Sequence, residues 1–193
     1  MAGKFDPQHA QNLVEIEKQF AVKAVEQAQT YWNLLAKVQP KELRLTKIDD
    51  EIFQHTMEAF PELAQEPYEI LTKLDEDWMK SPEGKERWRK FITSYEKKVK
   101  DHNFGSLIRM DARDEYAEKN TIFVTRIQAW RELFFPFVPY IELRSGLQFY
   151  AIEISRNRLG LNDKAHELAK AENEKEKLEK EKAEAKKKQK KVS

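Results

Sequence analysis

Three groupings of residues have the types and spacing that chemistry uses. Asp75-Glu76-Asp77 matches the D-x-D pattern with which nucleotide-sugar enzymes hold a divalent cation, because paired carboxylates supply hard oxygen ligands. Ser94-Tyr95-Glu96-Lys97 spells S-x-x-K, a serine nucleophile with a lysine one helical turn away. Glu51 and His55 stand at i and i+4, close enough on a helix to share a proton. Each has a plainer account. Among 34 acidic residues an acidic triplet is expected by accident, and Ser94 lies in a lysine-rich run without the companion motifs of its chemistry. A surface i,i+4 pair explains Glu51 and His55 equally well. P-loop, GxGxxG, HExxH and GxSxG patterns are absent from the chain. With no cysteine there is no disulfide, thiolate site or thiol nucleophile, and His9, His55, His102 and His166 lie far apart in sequence. The residues therefore assign no catalytic group, no cofactor and no metal.

The elements that position these residues follow from composition. At 193 residues the chain suits one ordinary domain with an appendage. Five glycines, 36% charged residues and a mean hydropathy of -0.82 predict an all-α, mainly helical fold with long solvated faces. The formal charge of +1 supplies no whole-protein field to draw in nucleic acid or an anionic membrane. The N-terminal MAGKFDPQHA has the character of neither a signal peptide nor a transit peptide, which predicts a cytoplasmic protein with nuclear access open.

Asp6-Pro7 has the form of an N-cap followed by proline at N1. Apolar residues then recur at Leu13, Ile16, Phe20, Ala24, Ala28, Tyr31, Leu35 and Val38, predicting a long amphipathic helix that stops before Pro40. Thr46, with Asp49 three residues on, marks a second helix closed by Pro61. A third is expected from about Pro67, with Tyr68, Leu71, Leu74 and Trp78 on one face. Ser81-Pro82 caps a fourth, in which Trp88, Phe91, Ile92, Tyr95 and Val99 follow 3-4 spacing until Asn103-Phe104-Gly105. That spacing turns the aromatics of Arg87-Trp88-Arg89-Lys90-Phe91 inward and its charges outward, so core packing outweighs RNA stacking; the same holds for Trp32 and Trp78. Ser106 to Asp111 and Thr121 to Thr125 can pair as a short hairpin, or the second run can open the last helix. Phe149, Ile152, Arg156 and Leu159 share a helical face, capped by Gly160.

The domain is expected to cover 1–162 and to give way to a charged tail over 163–193, where 19 of 31 residues are charged. Leu168 and Leu178 are too few for a coiled-coil seam. The tail reads as a fraying solvated helix ending in the basic cluster Lys186 to Lys191, with ribosomal RNA or nuclear import as the rival to simple solubilisation.

Several blocks carry a resemblance. They are Phe20-Ala21-Val22-Lys23-Ala24-Val25-Glu26 with Tyr31-Trp32, Leu43 to Asp50, Lys85 to Phe91, Asn103 to Asp111, and Ile152-Glu153-Ile154-Ser155-Arg156-Asn157. In this order, across about residues 5 to 162, the chain resembles the polysaccharide biosynthesis domain-containing protein 1 family. The resemblance implies a small helical cytosolic domain without a sugar-processing site that maps here. It also implies a dedicated co-translational chaperone of translation elongation factor 1-alpha, working at the ribosome with the nascent polypeptide-associated complex. A membrane and a small-molecule substrate are not expected as partners. The residues expected to bind a partner are Phe104, Arg109, Asp111, Arg126, Arg156 and Asn157, since loop-borne and cationic residues beside a helical core more often recognise partners than fill space. The rivals are a ribosome- or RNA-associated protein acting through the basic tail, and a sugar-nucleotide enzyme holding a cation at Asp75 and Asp77.

One segment departs from the family pattern: AWRELFFPFVPYIELRSGLQ, residues 129 to 148, separates Gln128 from Phe149. Five of the chain's 21 aromatics fall in it, and Pro136 and Pro139 break any regular helix. Its prolines and charges disqualify it as a membrane span. Three readings are open: an in-frame intron translated by mistake, a genuine looped-out insertion, or an exposed apolar client-binding element.

Overall fold

A computed structural model describes residues 7–95, 98–99, 106–124 and 146–192. Among them the chain forms seven α-helices and one two-stranded sheet: α1 (Pro7–Lys37), α2 (Asp49–Ala59), α3 (Glu69–Thr72), α4 (Glu76–Lys80), α5 (Pro82–Thr93), β1 (Ser106–Arg109), β2 (Thr121–Val124), α6 (Gly146–Leu159) and α7 (Asp163–Val192). This is the mainly helical architecture that the composition predicts.

The inward face of α1 follows its apolar spacing: Ala24, Ala28, Tyr31 and Leu35 are buried. Before α2, Asp49 accepts from Leu45 N (2.9 Å), Thr46 N (2.7 Å) and the Thr46 hydroxyl (2.7 Å), while Thr46 Oγ1 accepts from Ile48 N (3.2 Å). Thr46 and Asp49 thus bond each other, but Thr46 is not the N-cap that the spacing suggests: regular helix begins at Asp49, with Ile48 at its N-cap and no side-chain cap bond. Ser81 caps α5 as expected, its hydroxyl accepting from Gly84 N at 3.0 Å. Trp88, Phe91, Ile92, Tyr95 and Val99 are all buried, although regular helix ends at Thr93. Trp88 stacks on Phe60 with ring centroids 4.1 Å apart, and Phe91 meets it edge-on at 5.7 Å. Such rings each remove enough apolar surface from water to contribute about 1.5–3 kcal/mol.

The helix expected from Pro67 through Trp78 is instead two short ones. Between them Leu74 N donates to Met110 O (2.9 Å) and Ala112 N donates to Thr72 O (2.8 Å), so the chain leaves helical geometry to pair with the segment after β1. Asp75 then restarts the helix. The hairpin alternative holds: β1 and β2 pair antiparallel, with Ser106 opposite Val124 and Arg109 opposite Thr121.

α6 lies at the centre. Its residues from Leu147 to Asn157 are buried apart from the partly exposed Tyr150. The first three residues of α6, Gly146 to Gln148, come from the tail end of the 129–148 segment, and Leu147 is fully buried. The rest of that segment lies outside the described residues. α7 runs antiparallel to α1, since Trp32 meets Glu172 and Leu35 meets His166. Ala165 and Ala169 are core residues, so the boundary expected at 162 falls inside packed structure. The helix continues to Val192, with Glu176 and Lys180 paired at 3.3 Å. None of the described helices is long and apolar enough to cross a membrane.

Candidate functional site

A helix buried on all sides has no outward face on which to put its polar residues. Glu153, Ser155, Arg156 and Asn157 therefore have to be satisfied inside the protein. Ser155 does this locally, donating to Ala151 O at 2.7 Å. The other three reach across the core. Glu153 Oε1 accepts from Arg156 Nη1 (2.8 Å), and its Oε2 accepts from Arg109 Nη2 (3.0 Å), the Tyr31 hydroxyl (2.8 Å) and Asn162 Nδ2 (2.9 Å). The side chains of Arg109, Glu153 and Arg156 are all 0% exposed.

The two guanidinium groups reach further partners, apart from the Arg109 Nε, which is buried without one. Arg156 donates to Leu71 O (2.8 Å), Arg109 O (2.9 Å) and Met110 O (3.1 Å), tying α3 and the end of β1 to α6. Arg109 donates to Ala112 O (3.0 Å) and Asp114 O (3.2 Å), and to Asn162 Oδ1 at 2.6 Å. Its guanidinium also lies 5.6 Å from the Trp32 ring and 5.5 Å from the Tyr116 ring. Asn162 closes the circuit by donating to Asn157 Oδ1 at 2.7 Å, between α6 and α7. Four parts of the chain, α1, β1, α6 and the turn before α7, thus meet at one carboxylate, and Arg156 ties α3 to them.

Burial alone would push the Glu153 carboxyl up. The positive charges of Arg109 and Arg156, with the hydrogen bonds from Tyr31 and Asn162, overcome it and hold the group down at about 2. Burial also lowers Arg156, whereas for Arg109 the Glu153 charge outweighs the burial and raises it. The Tyr31 phenol is driven well above its ordinary value by burial first and the Glu153 charge second. One anion between two cations, with no opening to solvent, is an arrangement for holding segments together.

The six residues expected to bind a partner divide accordingly. Arg109, Arg156 and Asn157 do converge, but inside the protein, so they act on the fold and present no surface. The rule that cationic residues beside a core face outward fails here because β1 and α6 are both covered. Asp111 lies near the surface, where it accepts from Arg113 N (2.9 Å), Nε (2.9 Å) and Nη2 (2.6 Å). Hydrogen bonding by Arg113 lowers its pKa to about 2. Phe104 and Arg126 lie outside the described residues. The centre of the network, Glu153, was not among the six, nor were Tyr31 and Asn162. One signal pointed to it: a glutamate in the run Phe149 to Ile154, with apolar neighbours at spacings that surround a helix.

The other motifs have structural explanations. Asp75 Oδ1 accepts from Asp77 N (2.9 Å) and Trp78 N (3.3 Å), which makes it the N-cap of α4. No group of three or more His, Asp or Glu placed to hold a metal occurs among the described residues. The Ser94 hydroxyl donates to Phe91 O at 2.7 Å. Glu51 pairs with Lys98, while His55 Nδ1 meets the Tyr95 hydroxyl at 3.1 Å and stacks on Phe91, so Glu51 and His55 do not share a proton.

Comparison with known proteins agrees with the geometry of a shared domain. The family model described as PBDC1 protein matches residues 16–132. A PBDC1 homolog from Saccharomyces cerevisiae is 50% identical over 159 residues, spanning 82% of this chain and 94% of that protein. Its Schizosaccharomyces pombe counterpart is 47% identical, spanning 84% and 96% of the two chains. Mouse PBDC1 is 36% identical, over 81% of this chain and 66% of its own length. A Saccharomyces cerevisiae protein solved by solution NMR superposes with a TM-score of 0.65 at 48% identity, covering 84% of this chain and 96% of that one.

Proposed function

The chain belongs to the PBDC1 protein family, whose sequence blocks it shares, and we propose that it is a non-enzymatic binding protein of the cytoplasm. Its client on this reading is nascent translation elongation factor 1-alpha, met at the ribosome together with the nascent polypeptide-associated complex. A partly made nucleotide-binding domain exposes apolar surface and strand edges until its fold closes, and a helical domain can cover that surface without hydrolysing anything. Release follows from client folding, which removes the surface being held. Neither a membrane nor a small-molecule substrate enters the scheme.

The observation that supports a binding role is the engagement of Glu153, Arg109 and Arg156 with one another, with Tyr31 and Asn162 and with backbone carbonyls, fully away from solvent. The charged groups best placed to do chemistry are engaged in fixing the shape of the surface. The client itself comes from the family resemblance.

The test is a pull-down from translating cytosolic lysate with the tagged full chain, scoring ribosome-associated nascent chains by mass spectrometry. The full chain is used because α7 is packed on α1. Dominant enrichment of translation elongation factor 1-alpha, lost after run-off, is the expected result. A diffuse set of ribosomal proteins, or saturable turnover of a nucleotide sugar by the purified chain, overturns the proposal.

A further inference from the structure

On the outer side of the Trp32–Tyr116 pair, α1, the β1–β2 hairpin and α7 wall a cleft of about 520 Å³. Its floor is the two rings, set edge to face at 6.0 Å and 85°. Both are held from within by the Arg109 guanidinium, so the internal network fixes the floor. Four carboxylates stand around it: Glu115 and Glu118 from the loop between the strands, and Glu172 and Glu176 from α7. No lysine or arginine lines the cleft among the described residues.

The partners of these carboxylates matter. Glu172 Oε2 accepts from Trp32 Nε1 at 2.8 Å, which orients it along the floor. Glu176 meets Lys180 only at 3.3 Å on an exposed helix face. Glu115 and Glu118 make no side-chain hydrogen bond or ion pair with any described residue. The Tyr116 hydroxyl, at the inner wall, is buried and lacks a hydrogen bond of good geometry. Along the rim Val25 is 58% exposed, and Val22, one turn before it, is 57% exposed. Like charges gathered over aromatic rings beside an aliphatic lip are complementary to a cation carried on an apolar stem.

We infer that this cleft binds a lysine- or arginine-bearing segment of a partner protein. The side-chain head sits among Glu115, Glu118 and Glu172 over Trp32, and neighbouring apolar side chains of the segment lie on Val22 and Val25. A free polyamine would leave the valines uncovered. The helix itself carries residues 186–191 away from the cleft, starting about 15 Å beyond Glu176 along its axis. The inference holds whatever the identity of the client proposed above.

The probe is a fluorescent hexapeptide alternating lysine and leucine, with glutamate replacing lysine in the control. It is titrated into the full chain, with the Trp32 indole N–H resonance followed by NMR. Saturable movement of that resonance is expected, with binding that weakens as salt is added. Glu115→Gln/Glu118→Gln, at exposed residues whose loss leaves Tm unchanged, should raise Kd about tenfold, and Glu179→Gln/Glu181→Gln further along α7 less than about twofold. An unmoved Trp32 resonance, or equal weakening by both pairs of substitutions, overturns the inference. So does spermine displacing the peptide with the same indole shift. A dimer in sedimentation that dissolves when the chain ends at 184 would make a second copy's tail the occupant and also overturn it.

Discussion

Glu153→Gln is the substitution on which the account of the core stands or falls. The amide keeps the shape of the carboxylate but has one acceptor and one donor end. Its oxygen is best placed at the Oε2 position, where Arg109, Tyr31 and Asn162 all donate. The NH2 group then faces Arg156 Nη1, donor against donor, at a site where the carboxylate oxygen accepted at 2.8 Å. Two guanidinium groups are left in the interior without an anion. Removing one partner from a buried ion pair costs about 3–5 kcal/mol. The carboxyl itself gives a similar figure: lowering it from 4.5 to about 2 in a fully buried position corresponds to about 3 kcal/mol. Such a loss should lower Tm by about 6–20 °C for a domain of this size.

Urea unfolding followed by tryptophan fluorescence, at several pH values, measures it. Because the folded pKa lies below the unfolded one, the contribution of Glu153 is fully present above about pH 4.5 and is lost as pH falls toward 2. Protonated glutamic acid resembles glutamine, so the gap between wild type and Glu153→Gln is widest at neutral pH and closes in acid. Tyr31→Phe is the milder companion. It removes only the hydroxyl that donates to Glu153, and should cost about 1–2 kcal/mol without preventing folding. Replacing the triad by Arg109→Met/Glu153→Leu/Arg156→Met should not restore stability, because the carbonyls of Leu71, Arg109, Ala112 and Asp114 lose their guanidinium donors, while Met110 O keeps Leu74 N. A gap between wild type and Glu153→Gln that stays constant from neutral to acid pH, or a stable apolar triple variant, would refute the reasoning.

Three more outcomes are accessible by thermal unfolding. Gly84→Ala puts a Cβ 2.4 Å from Trp78 O and 3.2 Å from Met79 O, so the α4–α5 junction must open, at a cost of about 1–3 kcal/mol; wild-type Tm would show that the junction yields freely. Ending the chain after residue 162 strips Ala165, Ala169 and Glu172 from α1 and should lower Tm by more than about 5 °C, whereas ending it after 184 should change it by less than about 1 °C. Deleting 129–148 brings Ile127 and Gln128 before Phe149, into the positions of Leu147 and Gln148, so a folded variant within about 3 °C of the parent is expected. Aggregation of that variant would show that the segment is needed for the fold.

What was legible in the sequence was what local rules decide. The Ser81-Pro82 start and the apolar spacing of α1 and α5 each name their own partners within a few residues, and the structure realises them; Thr46 and Asp49 bond each other, but Thr46 lies two residues ahead of the N-cap, Ile48. The break between α3 and α4 was not legible, because it is set by Met110 O and Ala112 N about 40 residues away. Arg156 illustrates the same limit at the site. Helical spacing placed it correctly on one face with Phe149 and Ile152, but whether that face met solvent depended on α3 and the end of β1 closing over it. An arginine and a glutamate three residues apart look like a surface pair until the apolar residues on every other side of the helix are counted. The buried triad is also why partner recognition has to be sought elsewhere. With Arg109 committed to Glu153 and lying behind Trp32 and Tyr116, the charge that reaches solvent beside those rings comes from Glu115, Glu118, Glu172 and Glu176, and it is negative.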